Sequence, residues 1–148
     1  MIWVVSVNLK QIFTQERNYP WPRPDHCLRC QSWRVWSHGY CHRFFDSFSR
    51  ALLMKCYRCP DCCCVMTARP DSHFSRIHAG CKTIRSHLEH RIILGLWPAS
   101  DLRRSRCRHW LANLKRQVQA HLTCEWSGII SGFDRLKQLG VIPVARVN

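Results

Sequence analysis

The chain has 148 residues, with 23 Lys plus Arg against 9 Asp plus Glu, a formal charge of +14, and 11 cysteines. Such a length holds one ordinary domain or two small modules, and its 46% hydrophobic content includes those cysteines and 7 tryptophans. No apolar run is long enough to cross a membrane. An odd cysteine count, and an Ile2–Val7 run lacking a basic flank or cleavage site, argue against a disulfide-rich secreted protein. A reducing cytoplasm with metal-bound thiolates is the expected setting.

Along the chain, Ile2-Trp3-Val4-Val5 reads as a short strand leading into a polar stretch. Tyr19-Pro20-Trp21-Pro22-Arg23-Pro24 has prolines at alternate positions, which predicts a stiff extended arm docked on the cysteine-bearing segment after it. From Cys27 to about Arg69 the pattern is strand-like. Trp33–Trp36 alternates, His38-Gly39 offers a turn, and Tyr40–Phe45 returns antiparallel. Leu52, Met54 and Cys56 alternate with Leu53, Lys55 and Tyr57, and Val65-Met66-Thr67 adds a strand before Pro70.

Past Pro70 the apolar period lengthens to that of a helix. Asp71 or Ser72 caps a predicted helix through Phe74, Ile77, Cys81, Ile84, Leu88 and Ile92, stopped by Gly95 and Pro98. Ser100 or Asp101 caps a second, with Cys107, Leu111, Leu114 and Val118 on one face. A third runs from Asp134 to Leu139, ending at Gly140. The expected fold is α+β: a small zinc ribbon of short antiparallel strands, then an α-helical, helix-turn-helix-like unit. Its predicted segments are an N-terminal extension (1–18), the ribbon (19–70), the helical unit (71–122) and a C-terminal tail with a short helix (123–148).

Two Cys-x-x-Cys pairs, Cys27/Cys30 and Cys59/Cys62, supply four soft thiolates, the tetrahedral set of a closed structural Zn²⁺ site. One structural zinc ion is the expected cofactor. Such a metal contributes on the order of 10 kcal/mol to the folding of a module too small to bury a large core. Cys56/Cys59 is a competing pair, set aside because Pro60 stiffens the Cys59 turn while Cys56 falls in the alternating strand. Cys27, Cys30, His38 and His42 form another conceivable set, although seven residues between Cys30 and His38 fall short of the dozen or so of a two-cysteine, two-histidine finger. Iron on four thiolates is chemically allowed but gives no reason for so basic a chain.

Arg103, Arg104, Arg106 and Arg108 crowd the first turns of the second helix, where cations oppose the helix dipole. A local conflict of that kind marks candidate functional residues. Helical spacing places Arg106, His109 and Arg116 away from Leu111 and Leu114, with Arg108 on the flank and Arg104 on the Leu111 side. These six are the candidate nucleic-acid contacts. Trp21, Trp33, Trp36, Tyr40, Phe44 and Phe45 are expected to form the ribbon's core, with a stacking platform for single strands as the alternative.

The runs Tyr19–Pro24, Cys27–Cys30, Trp36-x-His38-Gly39-Tyr40 and Tyr57–Cys62 resemble the N-terminal zinc ribbon of certain bacterial insertion-sequence transposases. Together with Arg69–Arg76 and Arg104–Trp110 they resemble small mobile-element proteins that join such a ribbon to a helix-turn-helix. The likeness covers roughly residues 19–120. It implies a cytoplasmic bacterial protein, nucleoid-associated where it binds DNA. In those ribbons each knuckle ends in Gly; here Gln31 and Cys63 stand there, and Leu28 replaces a usual Pro, departures that go with a diverged or decaying copy.

No enzyme is expected. Nine scattered acidic residues do not assemble the carboxylates of a two-metal nuclease. The first function expected is DNA binding through the basic helix, in transposition or regulation, with double-stranded DNA as partner and no membrane. The alternatives are a zinc-ribbon adaptor for protein–protein contact, including self-association, and an RNA or single-strand binder.

Overall fold

The alternation of Leu52, Met54 and Cys56 does form a strand, and all three side chains are buried. A computed structural model describes residues 1–122 and 128–146 of an α+β chain, with one four-stranded mixed sheet and four α-helices. The chain divides into two units, Met1–Gly80 and Cys81–Asn148.

In the first unit the strands are β1 (Ile2–Val5), β2 (Trp36–Arg43), β3 (Leu52–Arg58) and β4 (Val65–Pro70), in spatial order β1-β4-β3-β2. β3 is antiparallel to β2 and β4, but β1 lies parallel to β4, from Ile2 opposite Thr67 to Val5 opposite Pro70. The expected all-antiparallel ribbon is thereby corrected to a mixed sheet that takes in the N-terminal segment. A parallel pair needs a long crossover, and residues 6–64 supply it.

Three local expectations change. The stretch after β1 is a helix, α1 (Leu9–Gln15), capped by the Asn8 side chain, which accepts from the N–H groups of Lys10 at 3.0 Å and Gln11 at 3.3 Å. Its Ile12 is buried with Phe45, Leu52 and Met54. His38-Gly39 is no hairpin turn. β2 continues through it with a register shift between Ser37 and Tyr40, and Gly39 has φ 86°, so the extra residue is absorbed as a bulge. Both flanks pair with the same neighbour, Trp36 with Arg58 and Arg43 with Leu52, which keeps the strand single.

Residues 71–80 do not start the next helix. The Asp71 N–H still donates to Val5 O at 3.0 Å, and Arg69 Nε donates to His73 O at 3.0 Å, so the backbone stays tied to the sheet end. Phe74 is buried within these turns. The proline arm docks as expected: Tyr57 Oη donates to Pro22 O, Arg23 donates to Val35 O, and Pro24 is buried.

The second unit holds α2 (Cys81–Leu94), α3 (Arg104–His121) and α4 (Ile129–Gln138). α2 buries Cys81, Ile84 and Leu88, and ends at Gly95, whose φ of 71° and bond to Arg91 O complete the C-terminal turn. α3 buries Cys107, Trp110, Leu114 and Gln117, leaving the expected Leu111 and Val118 only half-buried. The large indole of Trp110 claims the core and rotates the stripe toward itself. α4 starts before the expected Asp134 and buries Phe133 and Leu136. Arg85 of α2 reaches across to Asp134 of α4 with both carboxylate oxygens engaged, at 2.9–3.1 Å, and also meets Glu89 at 2.9 Å. The connection between α2 and α3, residues 95–103, is longer than the 3–4-residue turn of a helix-turn-helix. Among the described residues no helix is long and apolar enough to cross a membrane.

Candidate metal centre

Each Cys-x-x-Cys pair sits on a tight loop at a sheet end: Cys27/Cys30 ahead of β2, Cys59/Cys62 between β3 and β4. In the first loop Cys27 N–H donates to Ser32 O at 2.8 Å and Gln31 N–H to Cys27 O at 2.9 Å. In the second, Cys59 N–H donates to Cys64 O at 3.0 Å. The residue after each pair turns the chain with positive φ, 60° at Gln31 and 58° at Cys63. These are the positions where glycine is the ordinary choice, and the left-handed turn forms without it.

The loops bring the four sulfurs within 4.8 Å of one another, with Cys27–Cys62 and Cys30–Cys59 both at 3.6 Å. A tetrahedral ion with metal–sulfur bonds of about 2.3 Å sets its sulfurs about 3.8 Å apart, so the donor set fits such an ion in number, softness and spacing. Four clustered cysteines can therefore hold a metal ion. Cys27 and Cys59 are fully buried, Cys62 is half-buried and Cys30 is exposed. Cys27 belongs to the core cluster with Val35, Tyr57, Cys59, Cys64 and Met66, so the centre is continuous with the hydrophobic packing.

The thiols hold protons unevenly. The Cys30 and Arg29 backbone N–H groups, stronger together than the opposing burial, draw Cys27 down to about 6. The Cys64 N–H favours the Cys62 thiolate, but burial and the three neighbouring sulfurs outweigh it and push Cys62 up to about 12. At Cys30 the pull of the Ser32 N–H and of Cys62 is likewise overcome by burial, Cys59 and Cys27, and its pKa is raised. Four thiols side by side cannot all ionise, because their thiolates repel, until a cation replaces the protons, which is how a thiolate metal site couples binding to proton release.

Asp61, inside the second pair, accepts from Arg34 at 2.8 Å and from Ser32 Oγ, strapping the two loops together. Cys56 is outside the four-sulfur group and meets Thr67 Oγ1 at 3.7 Å, while His38 and His42 stay exposed on β2 and join no ligand group. Cys124 lies outside the described residues.

No family model, curated protein or solved structure matches the chain. The resemblance to insertion-sequence ribbons therefore rests on its residues alone.

The candidate nucleic-acid residues divide. Arg103 precedes α3 as its N-cap, and Arg104, Arg108, His109 and Arg116 are exposed. Arg106, expected on the outer face, is half-buried with its guanidinium 4.9 Å from the Trp110 ring centroid. Because Trp110 turns inward, the position four residues before it becomes part of the packed flank. Sequence reasoning passed over Lys115, exposed one turn beyond Leu111; its signal was the seven-residue interval from Arg108. The aromatic core expectation holds for Phe45, which is buried, and in part for Trp21 and Tyr40, which are half-buried. It is corrected for Trp33, Trp36 and Phe44, which are 78%, 55% and 63% exposed.

Proposed function

We propose that the chain is a zinc-stabilised DNA-binding protein, of the kind bacterial mobile elements carry for transposition or regulation, whose α3 engages duplex DNA. The observation carrying this reading is the outer face of α3. Its sequence, Arg104–His121, contains no acidic residue. Arg104, Arg108 and Lys115 share one row, and His109 and Arg116 another about 110° round the helix, both on the half turned away from Cys107, Trp110 and Leu114. Its first turn has neither an acidic residue nor a side-chain cap, so phosphate is the natural complement of both the helix N-terminus and the arginines. The lengthened 95–103 connection makes the unit helix-turn-helix-like at most. The four-thiolate centre acts as a structural pin in this reading, zinc being the ion whose ordinary geometry it matches.

Duplex binding measured against salt tests the assignment. Affinity falls steeply between about 50 and 200 mM, and Arg108→Ala or Arg116→Ala each reduces the log–log slope by about 1. Tight binding indifferent to salt, or slopes untouched by both variants, would refute it.

A further inference from the structure

Trp33 and Trp36 lie three residues apart, Trp33 in the stretch after the first knuckle and Trp36 at the start of β2, and both rings stand in solvent. Large aromatic side chains are ordinarily spent on the core, and this same unit packs Tyr57 and Phe45 inside. Trp36 is also braced. The Arg34 guanidinium lies 5.9 Å from the Trp36 ring centroid and is held in turn by Asp61 at 2.8 Å. Arg58 stands directly opposite Trp36 in the β2–β3 register and is exposed. Residues 1–80 carry 11 Lys plus Arg against 5 acidic residues, and Asp61, the acid beside Arg34, is engaged with Arg34 and Ser32.

We propose that Trp36, with Arg34 and Arg58 beside it, and the exposed Trp33 three residues before it form a second nucleic-acid surface that stacks the bases of single-stranded DNA. Indole faces accept any base, and flanking guanidiniums meet the phosphates, the pairing that sequence-tolerant single-strand binders use. Charge complementarity selects a polyanion over an apolar peptide. The edge itself argues the same way. β2 is one of the two edge strands, and its bulge between Ser37 and Tyr40 breaks the regular row of backbone groups that an added peptide strand needs. The side chains, and not the backbone edge, are what this surface offers. The choice of DNA over RNA rests on the α3 reading; the stacking surface does not.

The test uses the full-length, metal-loaded protein titrated with a short oligo-dT at low salt, read by tryptophan fluorescence. Quenching is expected, with affinity falling about ten-fold for Trp33→Ala and for Trp36→Ala, while Trp33→Phe retains binding because it keeps a stacking face. Metal content and far-UV circular dichroism confirm that the variants, altered only at exposed rings, remain folded. Duplex affinity is unchanged in the tryptophan variants, and oligo-dT affinity survives Arg108→Ala, so failure of this surface and failure of α3 are separately visible. Absence of quenching, or unaltered oligo-dT affinity in both alanine variants, overturns the proposal. Tighter binding of oligo-U than of oligo-dT overturns the choice of DNA. Protection of β2 amides by a peptide, without oligonucleotide binding, overturns it in favour of strand addition.

Discussion

Cys27 and Cys59 make the same backbone hydrogen bond, each N–H donating to the carbonyl five residues on, Ser32 at 2.8 Å and Cys64 at 3.0 Å. The two loops share little sequence beyond their cysteines, yet they close in the same way and turn at the same place. Gln31 and Cys63 match to within 2° in φ, at 60° and 58°. The knuckle conformation is therefore imposed by the spacing and the hydrogen bond, against the preference of the residue at the turn.

That opposition is measurable. A left-handed conformation costs a non-glycine residue roughly 1–2 kcal/mol, and glycine gives back about 0.5–1 kcal/mol through the freedom it gains when unfolded. Gln31→Gly and Cys63→Gly are thus each expected to stabilise the first unit by up to about 1 kcal/mol, read as a higher denaturation midpoint with the metal bound.

Replacing a ligand has the larger effect. Cys59→Ser leaves three sulfurs and opens a fully buried position. Loss of bound metal and loss of folded first unit are expected together, because binding energy on the order of 10 kcal/mol or more is folding energy at such sites. Cys56→Ser, outside the four-sulfur group, should keep its metal on elemental analysis. Retention of full metal content by Cys59→Ser would contradict the ligand set.

His73 carries a pH dependence. Burial lowers the pKa of its imidazole, Arg69 adds to the shift and Asp46 opposes it, while the ring packs edge-on to Phe45 at 4.7 Å. A base whose folded pKa lies below its unfolded value of about 6.5 stabilises the fold fully above that value and loses the contribution as pH drops through the folded one. Thiol protonation also releases metal in acid, so the discriminating measurement is the His73 ring signal itself. Its NMR titration midpoint is expected below about 6.5.

Arg106 and Arg108 should separate stability from binding. Arg106→Ala removes the cation–π contact with Trp110 and is expected to cost about 0.5–2 kcal/mol, a fall of several degrees in the melting of a unit this size. Arg108→Ala, at an exposed position, should change stability by no more than about 0.5 kcal/mol while reducing duplex affinity. A calorimetric scan beside a binding isotherm distinguishes them.

The cysteine spacing made the centre legible, because two Cys-x-x-Cys pairs with strands attached admit few other arrangements. β1, β3 and β4 were legible for the same kind of reason: alternation is local, and Leu52, Met54 and Cys56 read identically in the chain and in the fold. What escaped depended on partners distant in sequence. Nothing near Ile2 announces that it pairs in parallel with Thr67. The bulge at Gly39 looks like a turn until β3 is seen to pair with both sides of it. Phe74 and Ile77 continue a helical period that the backbone does not follow, since Asp71 remains bonded to Val5. α1 was readable and was passed over; Asn8 followed by Leu9, Ile12 and Phe13 is a cap and an apolar face. At Trp33 and Trp36 composition pointed to the core, and only exposure redirected it.

The parallel seat of β1 against β4 also favours one order of assembly. Pairing Ile2 with Thr67 means closing the whole of residues 6–64 into a loop, and closure entropy grows with the length of free chain. A metal across Cys27, Cys30, Cys59 and Cys62 shorts out the middle of that loop, cutting the free length by more than half and the entropic cost by at least about 0.6 kcal/mol. Ion capture and the local β3–β4 hairpin are thus expected to precede the docking of the first strand. The β1–β4 pairing is then expected to form last in this unit, and chelation during refolding should stall the chain with that strand still detached.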